Sequence, residues 1–164
     1  MIINLWRSFL MDNIDKNILH LLSQNSRMPA TEIAHMIGLS IPATNKRIQR
    51  LKDNCTINRF TIETNPEHIE KTVSAFVFIT ISQFRDLPKL IDHIHSKPDI
   101  LECYAITGEF DYILRVCAKS TGHLEQMLLE LKKLDVVVKT NTVIALYTHK
   151  YKPVILPDSI SNDN

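Results

Sequence analysis

Apolar residues recur at helical spacing three times between residues 12 and 52. Ile14, Ile18, Leu21 and Leu22 form the first stripe, and Asp12 stands where an N-cap belongs. Ile33 and Ile37 line a short second helix that stops at Gly38. Ser40 is a cap for a third helix, whose Thr44, Ile48 and Leu51 share one face. No one of these short helices can bury its stripe alone, but three together make a small core.

From Val73 the period changes. "VSAFVFITIS" is β-branched and aromatic, as strands prefer. "DLPKLIDHIHSK" is helical, with Leu87, Leu90, Ile91 and Ile94 on one face. Two further strands, "ILECYAIT" and "YILRVCA", flank the turn "GEFD". The helix "STGHLEQMLLELKKL" buries Leu124, Met127, Leu128 and Leu131, and "VVVKTNTVIALYTH" closes as a fourth strand. The order βαββαβ predicts a ferredoxin-like sheet with both helices on one face. The chain is therefore expected to be α+β, with a helix-turn-helix (winged-helix-like) domain over 11–60, a linker over 61–72 and a ferredoxin-like domain over 73–152. Within the joining segment, "INRFTIET" alternates as an extended linking strand would, and "NPEH" reads as a turn. The polar end of the tail is expected to fray.

Composition narrows the class without naming a function. The 164 residues are 45% hydrophobic and 23% charged, ordinary for a soluble globular protein. No apolar run approaches the length of a membrane span, so no membrane partner is expected. "MIINLWRSFL" is too short for a signal peptide and lacks a small-residue cleavage site, which leaves Met11 as the start or the first ten residues as a short arm. A cytoplasmic location is expected by default. Three cysteines without a CxxC pair read as reduced thiols, with Cys103 and Cys117 as small core residues.

A net charge of +1 hides a local concentration. Residues 43 to 59 hold five basic side chains (Lys46, Arg47, Arg50, Lys52 and Arg59) against one acidic, Asp53. A helix-turn-helix needs a sharp turn and a second helix with one face for the protein and one for the major groove. Gly38-Leu39-Ser40 supplies the turn. Thr44, Ile48 and Leu51 face inward, leaving Asn45, Lys46, Gln49 and Arg50 outside. Such side chains pair with adenine or guanine edges and with phosphates. Ser40, Ala43 and Arg47 complete the expected contact set for double-stranded DNA, at a helix start whose N–H groups favour phosphate. The competing reading is a tri-helical bundle whose polar face is only solvated.

The stretch "MDNIDKNILHLLSQNSRMPATEIAHMIGLSIPATNKRIQRL" resembles the opening of the Lrp/AsnC (feast/famine) transcriptional regulators. The shared pattern falls on Asp12, Asp15, Ile18, Leu19, Arg27, Glu32, Ile33, Ala34, Gly38, Leu39, Ser40, Arg47, Ile48, Arg50 and Leu51. The likeness runs on from Met11 to about Lys152. It departs from the family in two places. Cys55 and Arg59 stand where two glycines are usual, so the turn there must take another path or carry strain. Pro29 replaces the usual serine cap of the second helix and is tolerable at a helix start.

The resemblance implies a second half that senses an effector and oligomerises. The residue pattern supports assembly independently: Val77, Ile79 and Ile81 line one sheet face, so Phe76 and Phe78 point to the other. A second copy of the sheet is the natural cover, giving a homodimer, and the resemblance implies a further assembly of dimers; the alternative to the dimer is a tail folded over that face. "GEFD" resembles the family turn near the amino-acid effector site. Thr107, Gly108, Glu109, Phe110 and Asp111 are therefore the candidate effector residues, with Asp111 for an ammonium group and turn N–H groups for a carboxylate. The plain reading is a turn with glycine at an unusual dihedral.

No G-x-S-x-G, P-loop or GxGxxG is present, and His93 and His95, two apart on a helix, are out of register for a metal. No cofactor and no enzymatic role are expected. The alternative to a DNA-binding regulator is a DNA-independent effector-binding or scaffold protein of the same fold.

Overall fold

The structure, a computed structural model, describes residues 11–158; the first ten residues and the last six lie outside it. Two compact units are present. One comprises residues 11–62 with 151–158, the other Glu63–Lys150.

The first unit holds α1 (Asn13–Gln24), α2 (Ala30–Ile37) and α3 (Ile41–Asp53). Asp12 caps α1 by accepting from Asp15 N–H at 2.8 Å. Pro29 stands at the start of α2 with no side-chain cap. Gly38 closes α2 at φ 69°, a left-handed dihedral that glycine adopts without the Cβ clash other residues meet. It and Leu39 both donate to the Ala34 carbonyl, the tight stop that turns the chain into α3. Ile18, Leu21, Leu22, Ile33 and Leu51 form the core, with Ile14, Ile37 and Ile48 packed at its edge.

The second unit holds β1 (Val73–Ile81), α4 (Leu87–Ser96), β2 (Ile100–Ala105), β3 (Tyr112–Ala118), α5 (Thr121–Lys132) and β4 (Val137–Ile144), with one 3₁₀ turn (Phe84–Asp86) before α4. The sheet is antiparallel in the order β2-β3-β1-β4. Alternation decides its faces. Ala75, Val77, Ile79, Leu114 and Val116 pack against Leu90 and Ile94 of α4 and Leu124, Met127 and Leu131 of α5. Phe76, paired with Arg115, and Phe78, paired with Ile113, lie on the face without helices, and Phe76 is 36% exposed.

Several expectations need correction. Residues 57–64 form no strand; the alternating "INRFTIET" finds no ladder partner among the described residues. Cys117 is not a core residue. It alternates with buried Val116 and Ala118, so it lies on the helix-free face, where its thiol donates to the Lys71 carbonyl. Cys103 is half-buried at the core's margin, and burial pushes its thiol pKa up. Leu128 is also marginal rather than buried. "NPEH" is a turn, with Asn65 Oδ1 accepting from Glu67 N–H at 2.9 Å.

Candidate nucleic-acid interface

Ser40 initiates α3 by accepting from Ala43 N–H at 3.4 Å, while Thr44 Oγ1 donates to the Ser40 carbonyl. Thr44 and Leu51 are fully buried, which fixes the rotation of the helix. Asn45, Lys46, Gln49 and Arg50 are exposed, and an open groove lined by Ala43, Lys46, Arg47, Gln49, Arg50 and Asp53 runs along that side.

These residues differ in freedom. Neither Asn45 nor Lys46 is engaged by a hydrogen bond or ion pair among the described residues. Gln49 is held at both ends of its amide: Nε2 donates to Asp53 at 2.7 Å and Oε1 accepts from Lys52 at 3.3 Å. Arg47 is drawn back toward α1, where its Nη1 donates to Asp12 Oδ2 at 2.7 Å and Asp15 Oδ1 at 2.9 Å. Arg50 Nη2 donates to Asp15 Oδ2 at 2.6 Å, yet its side chain is 47% exposed.

Asp15 is 0% exposed, so both of its oxygens are committed to the arginines of α3. Nothing in the expected contact set included it. The available signal was its phase: Asp15, Ile18 and Leu22 recur at i, i+3 and i+7, so a carboxylate sits on the apolar stripe of α1. Burial pushes the Asp12 carboxyl pKa up, but the Asp15 N–H and the Arg47 and Arg50 cations outweigh it and hold it below the usual range. Asp12 and then Asp15 raise Arg47 further above its ordinary value.

Just beyond α3, Cys55 sits at φ 60°. The first missing glycine is thus replaced in place, with the left-handed backbone retained. Arg59 does not share that dihedral; Cys55 and Glu70 are the non-glycine residues at positive φ among those described.

The "GEFD" turn is built differently from the expected ammonium receptor. Gly108 has φ 120°, the unusual dihedral its position suggested. Asp111 Oδ2 accepts from Ile81 N–H at 2.8 Å, and Asp111 N–H donates to the Ile79 carbonyl, tying the turn to the end of β1. Glu109 pairs with Lys139 at 2.9 Å. That ammonium lies 5.1 Å from the Phe110 ring centre, and Phe110 meets Phe78 in a tilted ring contact at 5.3 Å. Thr107, Gly108 and Glu109 are exposed. The groove between α4 and β2, lined by residues such as Ile91, His95, Leu101 and Cys103, includes none of residues 107–111.

A capped, basic third helix behind a glycine turn, joined in one chain to a βαββαβ unit, defines a helix-turn-helix protein with an appended ferredoxin-like domain. Residues 11–52 match the AsnC-type helix-turn-helix domain, and residues 74–155 match the Lrp/AsnC ligand binding domain. The chain belongs to the Lrp/AsnC family of helix-turn-helix transcriptional regulators. It is 29% identical over 141 residues to the HTH-type transcriptional regulator FL11 of Pyrococcus furiosus, covering 86% of this chain and 93% of that one. Against the HTH-type transcriptional regulator LrpA of Mycobacterium tuberculosis it is 31% identical over 137 residues, covering 82% and 89%. A Neisseria meningitidis transcriptional regulator solved in complex with L-Met shares the fold, with a TM-score of 0.85 at 23% identity over 88% of this chain and 95% of that one. No helix among the described residues is long and apolar enough to cross a membrane.

Proposed function

We propose that this regulator reads duplex DNA with the exposed side of α3, from Ser40 and Ala43 at its start through Asn45, Lys46, Gln49 and Arg50, and with Arg47 in a supporting place. The observation that carries the reading is the division of α3 into a buried face, Thr44 and Leu51, and an unburied polar one. Asn and Gln suit adenine edges, Arg suits guanine, and Lys suits phosphate. The protein acts by binding in the cytoplasm, not by turnover.

The same reading includes a homodimer. Phe76, Phe78, Tyr104, Ile113 and Val143 share the helix-free sheet face with Arg115 and Asn141, and the exposed apolar groups there favour a second copy as cover. Two copies present two α3 helices, which suits a two-fold site on DNA. Dimers then assemble further.

A small amino acid is the effector, bound at Thr107–Asp111. The bound L-Met of the Neisseria meningitidis protein, on the same fold, supports the ligand class. The exposed turn lies outside the α4–β2 groove, which favours a site completed by a neighbouring copy. Genomic footprinting with and without each amino acid tests the whole reading. Protected duplex sites whose occupancy changes with one amino acid support it. Absence of any protected site, with amino-acid binding retained, supports the DNA-independent scaffold instead.

A further inference from the structure

The buried carboxylate of Asp15 is an uncommon use of a core position. It lies on α1, is itself fully buried, and spends both oxygens on two arginines of another helix. Stability alone does not call for that choice, since well-packed apolar groups often replace a buried ion pair at no loss. The pairing does one thing an apolar group cannot: it fixes where the guanidinium planes lie.

We infer that Asp15 is a positioning residue for DNA sequence discrimination, acting through Arg50 and secondarily through Arg47. The inference rests on the α3 reading above. A guanidinium recognises a guanine edge through two N–H groups in a fixed plane, whereas a phosphate accepts the charge from many directions. Arg50 gives Nη2 to Asp15 while nearly half its side chain remains exposed. One end of its guanidinium is therefore held from inside the protein, on a side chain that is still in part exposed. Arg47, joined to Asp15 and to Asp12, braces the carboxylate from the other side. Without Asp15, Arg50 keeps its charge but loses the buried carboxylate that sets the direction of its Nη2. Phosphate attraction survives that loss, and base discrimination does not.

The test uses the full-length protein and two probes: a duplex enriched by the wild type from a random pool, and a shuffled duplex of equal length. Asp15→Asn keeps the side-chain volume but turns an amide N–H₂ toward the arginines. The expected result is a specific-to-shuffled affinity ratio at least tenfold lower, with affinity for the shuffled duplex unchanged or higher and the salt slope retained. In an Arg50→Lys background, adding Asp15→Asn should cost no further selectivity, because the residue through which it acts is already altered. A purely structural Asp15 would give additive losses on both duplexes. An Asp15→Asn protein with wild-type selectivity overturns the inference. Should Asp15→Asn not fold, Asp15→Glu, which keeps the charge and displaces it by one methylene, decides: retained selectivity overturns the inference, and loss of it at constant salt slope supports it. A wild type that enriches no sequence overturns the DNA reading itself, and this inference with it; an enriched sequence with unchanged selectivity in the variants overturns this inference only.

Discussion

Asp111 Oδ2 accepts the backbone N–H of Ile81 at 2.8 Å, so the carboxylate expected to greet a ligand is also the clasp that holds the "GEFD" turn to β1. The two roles separate by substitution. Asp111→Ala removes an ionic hydrogen bond and should destabilise the second unit by about 1–2 kcal/mol. Asp111→Asn keeps an acceptor oxygen and should cost less than about 1 kcal/mol, yet lose the charge that would hold an ammonium group. Chemical denaturation measures the first effect and calorimetry with the amino acids the second. Equal ligand binding by wild type and Asp111→Asn would remove Asp111 from the effector site.

Cys55 at φ 60° carries a dihedral that costs an L-residue about 1–2 kcal/mol. Cys55→Gly should relieve it, partly offset by the greater freedom of glycine in the unfolded chain, for a net gain near 1 kcal/mol or slightly less. Cys55→Val should lose at least as much as glycine gains. Urea melts of the pair give the sign directly.

Phe78 makes a tilted ring contact with Phe110 and faces away from the helices. If a second copy covers that face, Phe78→Asp would bury an unpaired charge there and should split the dimer or unfold the unit. Light scattering distinguishes the outcomes when read beside circular dichroism. A wild type that stays monomeric at micromolar concentration contradicts the assembly.

Acid should loosen two places first. Asp12 and Glu102 both have folded pKa values below their ordinary ones. Burial opposes the shift at Asp12, while the Arg115 hydrogen bond leads it at Glu102. A depressed folded pKa means the stabilisation is complete above the unfolded value, about 3.9 for Asp and 4.3 for Glu, and is lost as pH falls through the folded one. Both side chains are substantially exposed, so each contribution is under about 1 kcal/mol. Comparing acid titrations of stability for wild type and Asp12→Ala should show the difference shrink toward the acid end, down to what the neutral Asp12 cap of α1 still contributes.

Much of this architecture was legible because periodicity and burial coincide. The stripes Ile18–Leu21–Leu22 and Thr44–Leu51 fix the rotations of α1 and α3, and the alternation through Val77 and Ile79 fixes the sheet face. Side-chain partnerships were not legible, because they depend on which helices meet. Asp15 reached Arg47 and Arg50 across more than thirty residues of sequence, and Lys139 reached Glu109 across thirty. Cys117 was misjudged for a simpler reason: an apolar run in a strand alternates faces, and the helices cover one of them. Residues 57–64 alternate as a strand would, but alternation supplies no ladder partner.

The central claim is that the exposed side of α3 touches DNA. Asn45 and Lys46 test it most cleanly, since neither supports the fold through a hydrogen bond or ion pair among the described residues. Fluorescence anisotropy of an enriched duplex, titrated with wild type and with Asn45→Ala/Lys46→Ala over a series of salt concentrations, is the measurement. The expected result is unchanged folding, affinity lower by about 1–3 kcal/mol, and a log K against log salt slope reduced by about one. A variant that binds with wild-type affinity and wild-type slope would contradict it.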